Sequence, residues 1–233
     1  LMPLTSPLLF AASMAIANAC LLVATALSNR RIIPPFASRK VVHVSLGVAQ
    51  IALWGLYPDG AAPRVWANMC CIVYAAVFLV FGLGHGPRAV ADFLVATVCR
   101  AGDPREMLYG PLNYCVTVAV LGLVFWRNYP PAVAGMMVML TGDGMAEVVG
   151  KLLGRTAFRN PWGRQKTAAG ALAVLVCGAA GAMAMCGVLY GDAHVALSLA
   201  CGAVGAAVEF FAPPNTDNVL IPLAGVLVGV LGM

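Results

Sequence analysis

The chain has 233 residues, 61% of them hydrophobic and only 10% charged, with a mean hydropathy of +0.89. That is far more apolar than a soluble domain of this length and excludes the soluble globular class. The formal net charge of +5 comes without a long basic tract or basic-aromatic interleaving, which sets nucleic-acid binding aside.

Apolar runs broken by Gly and Pro recur at the ~20-residue length that a ~30 Å hydrocarbon core requires, and no alternating barrel pattern is present. The first run covers about Pro3 to Leu27 and ends at Ser28-Asn29-Arg30-Arg31. A loop with Pro34-Pro35 and the basic pair Arg39-Lys40 leads into a second run, about Val41 to Tyr57, closed by Pro58-Asp59-Gly60. The third covers about Val65 to Leu83. Gly82, Gly84 and Gly86 follow a helix rather than a strand, so they form a flexible exit and not a dinucleotide fingerprint. Within the mixed segment Arg88 to Arg105, Ala89 to Cys99 is apolar apart from Asp92 but short for a span, so an interfacial or re-entrant helix is expected, with a further membrane span as the lesser option. Further runs cover about Leu108 to Trp126, Ala132 to Leu153, Ala168 to Tyr190, Val195 to Phe211 and Val219 to Leu231. The expectation is a single integral membrane domain over 1–233, an all-α bundle of seven or eight transmembrane helices.

Other features fit that class. The eight cysteines lie mostly inside apolar runs without a Cys-x-x-Cys pair, as small, reduced, buried hydrophobes do. Gly150 with Gly154, and Gly225 with Gly229, provide small faces for helix packing. Trp54, Trp66, Trp126 and Trp162 fall near the expected boundaries, as an interfacial belt would. With the N-terminus outside, the inner loops hold twelve basic residues and the outer ones only Arg64 and Arg127, which obeys the positive-inside rule. Glu106, Asp143, Glu147, Glu209, Asp217 and Asn218 thread to the same inner side. Leu1 precedes Met2, and the expectation at this end is a truncated N-terminus, with any transit or signal peptide lost.

Chemistry concentrates in Thr141 to Gly170. Asp143, Glu147 and Lys151 are four apart, hence on one helix face. An ionised side chain at bilayer depth costs about 2.5–3.5 kcal/mol on insertion scales, so a cation, phosphate or partner must offset Asp143. Gly142 and Gly144 flank it and admit a close backbone or ligand. A basic loop holding Arg155, Arg159, Arg164 and Lys166 follows. Phosphoryl transfer needs charge placement above all. Asp143 and Glu147 are adequate Mg2+ ligands. Arg164, Lys166 and Thr167, with Gly170 opening the next helix, suit phosphate through charge, hydroxyl and helix N-terminal amides. Pairing of Glu147 with Lys151 is the simpler alternative for those two, and Arg155 and Arg159 read as headgroup anchors.

Five pieces in order carry a resemblance: Ser38-Arg39-Lys40-Val41-Val42-His43, REMLYGPLNY from Arg105 to Tyr114, GDGMAEVVGKLLG from Gly142 to Gly154, KTAAG from Lys166 to Gly170, and Glu209 followed by DNVLIPLAG from Asp217 to Gly225. Together they resemble the polyprenol kinase family of membrane CTP-dependent kinases, most closely the plant and algal phytol and farnesol kinases. The resemblance implies Mg2+-assisted transfer from CTP to a long-chain isoprenoid alcohol drawn from the bilayer, phytol first, giving phytyl phosphate for tocopherol synthesis. It implies a plastid membrane, with the endoplasmic reticulum as the alternative. It also adds Arg39, Lys40, His43, Arg105, Asp217 and Asn218 to the nucleotide-binding candidates beside Gly142, Gly144 and Lys151. Glu106 joins Asp143 and Glu147 as a catalytic candidate, as a metal ligand or a base orienting the hydroxyl. His85 and Asp92 receive no role. Two rival readings stand: a cytidylyltransferase like the CDP-diacylglycerol synthases, and a transporter or channel using Asp143 as an intramembrane ion site.

Overall fold

The structure, a computed structural model, describes residues 5–232. Pro3, where the first run was expected to start, lies outside them. The described chain is an all-α membrane fold whose only sheet is one short hairpin, and it divides at Val124 and Phe125 into two compact units.

The first unit contains α1 (Thr5–Asn29), α2 (Pro35–Leu53), α3 (Ala61–Gly82), α4 (Arg88–Val98) and α5 (Pro111–Val124). Pro35 opens α2 at its first helical position, where a missing N–H costs nothing. Ser38 Oγ ties α2 to α1 by donating to the Ala24 carbonyl at 2.8 Å, and the Thr25 and Thr97 hydroxyls bond α1 to α4 at 2.9 Å. Antiparallel α3 and α5 meet where Arg64 Nη1 donates to the Leu123 carbonyl at 3.2 Å. At 11 residues, α4 is too short to span, as its sequence implied.

The second unit is built around one continuous helical rod, Pro130–Leu153. It comprises α6 (Pro130–Met137), a π-helical turn (Val138–Asp143) and α7 (Gly144–Leu153). Residues from Ala132 to Leu140 are all buried, so this half of the rod is apolar and enclosed all round. Around it pack α8 (Ala168–Tyr190), α9 (Val195–Phe211) and α10 (Asp217–Val230). Glycines permit the crossings. A methyl group at Gly135 would come within 2.7 Å of the Pro222 carbonyl oxygen and 2.9 Å of Gly225 Cα, and one at Gly142 within 2.8 Å of the Val174 carbonyl oxygen. Gly225 and Gly229 thus face the start of the rod, and Gly150 and Gly154 face Thr167, the packing role their spacing implied.

Among the described residues, five helical stretches are long and apolar enough to cross a membrane: Thr5–Asn29, Ala61–Gly82, Pro104–Val124, Pro130–Leu153 and Ala168–Tyr190. Helices α9 and α10 are apolar but shorter, at 17 and 14 residues, and α2 has 19 with Arg39, Lys40 and His43 in its first half.

Two expectations are corrected. Trp54 and Trp126 are not belt residues: they are 0% and 1% exposed. Space made by Gly122 admits the Trp54 indole, which would lie 2.8 Å from a methyl group there. The segment after Gly154 is not an irregular loop but a hairpin of β1 (Ala157–Arg159) and β2 (Gln165–Thr167). Its turn is closed by Asn160, whose Oδ1 accepts from Trp162 N at 3.1 Å and Arg164 N at 2.9 Å.

Gly225→Leu should separate α10 from the rod and destabilise the protein by about 1–3 kcal/mol or more, the usual range for overpacking. Gly187→Ala, with nothing within 4 Å of the added methyl, should be neutral or stabilising by up to ~1 kcal/mol. Thermal unfolding in detergent monitored by circular dichroism compares the two.

Candidate functional site

Asp143 ends the π turn and lies directly before α7, so the turn sets the direction of the stripe Asp143, Glu147, Lys151. Single π turns cluster at functional positions because an extra residue re-aims the side chains beyond it. Thr141 fixes this one, with its Oγ1 2.7 Å from the Met137 carbonyl oxygen and 2.9 Å from that of Cys177 on α8. Along the stripe, exposure rises outward. Asp143 is buried, Glu147 is partly so, and Lys151 is exposed and donates to Glu147 Oε1 at 2.8 Å. The simple i,i+4 pairing of Glu147 with Lys151 is therefore present.

Beyond Gly154, the hairpin brings Lys166 back to this unit's charged end. Lys166 Nζ donates to Oε1 of Glu209, which is buried in the last turn of α9. Asp143 and Asp217 both lie close enough to Glu209 to act on it electrostatically. Carboxylates of the rod and of α10 thus act on the α9 carboxylate that Lys166 engages. Asp217 opens α10, and its Oδ1 accepts from Asn218 N at 3.0 Å; Asn218 is buried beside it.

Thr167 caps α8 through Oγ1, which accepts from Gly170 N at 3.1 Å, while Ala168 N donates to the Thr156 carbonyl. Two of the helix-opening amides expected to meet phosphate are engaged in the fold. Arg164 sits just past the turn, half-buried, and Arg155 and Arg159 are exposed. Gly142 faces α8 and Gly144 is buried within the rod.

The other candidates belong to the first unit. Arg39, Lys40 and His43 lie in the first turns of α2, with Lys40 buried. The His43 ring packs on Tyr114 with centroids 4.7 Å apart, and Tyr114 Oη donates to the His43 carbonyl at 2.9 Å. This joins the first two resemblance motifs. Glu106 accepts from Arg100 N at 2.6 Å and Ala101 N at 2.7 Å, one amide per oxygen, and Arg105 is exposed beside it. Arg39, Asp103 and Glu106 all act on Cys99, whose thiol burial pushes up to about 11. At neutral pH that thiol stays protonated and unreactive.

Two features escaped the sequence reading. Glu209 was quoted in a motif but given no role, although an acid at the end of an otherwise apolar helix is itself a signal. Asn160 was passed over, although Asn-Pro-Trp-Gly is a turn sequence between two short strand-like pieces.

No family model matches the chain, and no solved structure matches it. Among curated proteins, it is 32% identical over 216 residues to the probable phytol kinase, chloroplastic, of Triticum aestivum, a match spanning 88% of this chain and 70% of that protein. The corresponding protein of Zea mays is 34% identical over 218 residues, 88% of this chain and 69% of its own. Phytol kinase 1, chloroplastic, of Arabidopsis thaliana is 28% identical over 162 residues, 70% of this chain and 52% of its own. With identity above 30% held across more than two thirds of the cereal proteins, the chain belongs to the phytol kinase family.

Proposed function

We propose that this protein phosphorylates phytol, with CTP as donor, in a plastid membrane, and so supplies phytyl phosphate for tocopherol synthesis. The acceptor and the organelle are those in the names of its relatives. The observation that carries the reading is the contact of Lys166 with the buried Glu209, on which Asp143 and Asp217 also act, at one end of an apolar unit.

Phosphoryl transfer in this setting is chiefly electrostatic. The alcohol oxygen attacks the γ-phosphorus, the bond from that phosphorus to the β,γ-bridging oxygen breaks, CDP leaves, and the hydroxyl proton passes to a carboxylate or to water. Lys166 and Arg164 hold phosphate oxygens, Lys166 by exchanging its Glu209 contact for a phosphate contact. Arg39, Lys40, His43, Arg105, Asp217 and Asn218 complete the proposed nucleotide-binding set. Glu106 suits an orienting role, since each of its oxygens already holds a backbone amide.

The residues fit Mg2+. Among the described residues no group of three or more His, Cys, Asp or Glu forms an all-protein metal cage, and Mg2+ asks for less: one or two carboxylates, with waters and phosphates completing six oxygens. Asp143 and Glu147, one turn apart, would hold it. When bound it supplies neutralisation of charge on the transferring phosphoryl group.

Purified protein in liposomes with Mg2+ and γ-labelled CTP should label phytol in preference to farnesol, geranylgeraniol, dolichol or diacylglycerol, and ATP should serve poorly. EDTA should abolish transfer and Mg2+ restore it. Label entering lipid from α-labelled CTP, with pyrophosphate released, would instead identify a cytidylyltransferase.

Asp143→Asn, nearly isosteric, should keep the fold and lower kcat by about 10²–10³-fold, the size of effect seen when one preorganised electrostatic group is lost. Near-normal kcat in this variant would remove Asp143 from the mechanism.

A further inference from the structure

Phe158 is paired with Lys166 across β1 and β2, and directly opposed residues of a ladder project from one face. That face meets the last turn of α9 at two consecutive residues. Phe158 lies edge-on to Phe210 with ring centroids 5.2 Å apart, and Lys166 reaches Glu209. The hairpin turn grips the same turn of α9 from the backbone side: Asn160 Nδ2 donates to the Phe210 carbonyl at 3.3 Å, and the Trp162 indole N–H to the Phe211 carbonyl at 3.0 Å. Hairpin and helix end therefore have one register.

Within that register the two partners differ. The Glu209 side chain is 6% exposed and set in a helix, whereas that of Lys166 is 20% exposed on a four-carbon stem that otherwise extends its ammonium to water. The carboxylate is the fixed member and the ammonium the adjustable one.

Resting on the phosphoryl-transfer reading above, we infer that Glu209 is a positioning residue: it holds the Lys166 ammonium at the end of α9, and acts on the nucleotide only through that ammonium. Nucleotide binding then exchanges a carboxylate for a phosphate at a lysine already in place, rather than ordering a lysine from solvent. The aromatic and backbone contacts at Phe210 and Phe211 keep the hairpin seated while the exchange occurs.

A double-mutant cycle in the full-length protein, read as KM for the nucleotide and kcat, tests this. Glu209→Gln should raise KM about tenfold and change kcat by no more than about threefold, as expected when a ground-state ligand is mispositioned. Lys166→Gln should raise KM at least as much. The double variant, whose neutral pair preserves size and serves as the folding control, should match Lys166→Gln alone, because residues acting through one contact are not additive. Glu209→Asp, which keeps the charge but retracts it, should fall between wild type and Glu209→Gln. A double variant showing the product of the two single effects would overturn the inference, as would Glu209→Gln with unchanged KM and only a lower melting temperature. Wild-type protein that transfers no phosphate would overturn the underlying reading and this inference together, an outcome distinct from active enzyme with an indifferent Glu209.

Discussion

A carboxylate must be held at the join between the enclosed and open halves of one rod, and the second unit is arranged around that constraint. From Ala132 to Leu140 the rod is buried without a break; beyond Asp143 it carries Glu147 and Lys151 into an increasingly exposed setting. A charge one turn deeper would lie in apolar packing, at a cost that insertion scales put at about 2.5–3.5 kcal/mol. The π turn fixes where the join falls, and Thr141, anchored to α8, fixes the turn. Gly135, Gly142 and Gly225 let the surrounding backbones close on the rod. Where lipid offers no hydrophobic drive for helices to associate, such close contact is the main source of cohesion.

Glu209 is acted on by Asp143 and Asp217 as well as by Lys166. A nucleoside triphosphate, itself highly negative, is repelled by carboxylates, whereas a divalent cation is drawn to them. On the proposed reading, cation and nucleotide therefore assist each other's binding, each reducing the repulsion that the other meets. The Lys166–Glu209 pair then has a second consequence. If phosphate took the ammonium, Asp143 and Asp217 would still act on Glu209, and a cation held on Asp143 would offset that charge.

The membrane class, the element order and the position of the acidic stripe were legible in the sequence because each rests on local pattern: run length, Gly and Pro punctuation, and four-residue spacing on a helix. That α4 is too short to span followed from its length alone. What was not legible rests on contacts between distant residues. Burial of Trp54 depends on Gly122, 68 positions away, leaving room for an indole, and boundary position alone cannot reveal that. The π turn differs from an α turn by one residue of hydrogen-bond shift and leaves no periodic mark in six residues. The pairing of Lys166 with Glu209 spans 43 positions. The hairpin was accessible in principle, since Asn160, Pro161 and Gly163 are turn formers between short extended pieces, but three-residue strands hold too few residues to show alternation.

Glu106 and His43 differ from Lys166 and Lys151 in whether the contacts described above can be exchanged. Glu106 receives two backbone amides of its own loop, and His43 is enclosed by a ring contact and by a tyrosine that donates to its carbonyl. Replacing either set requires rebuilding the local backbone. Lys166 and Lys151 each pair with a carboxylate through a flexible stem and can trade it for a phosphate oxygen without moving a helix. A transfer cycle needs groups that take and release charge repeatedly, set against groups that stay fixed. On that ground the proposed exchange of charge is assigned to Lys151 and Lys166.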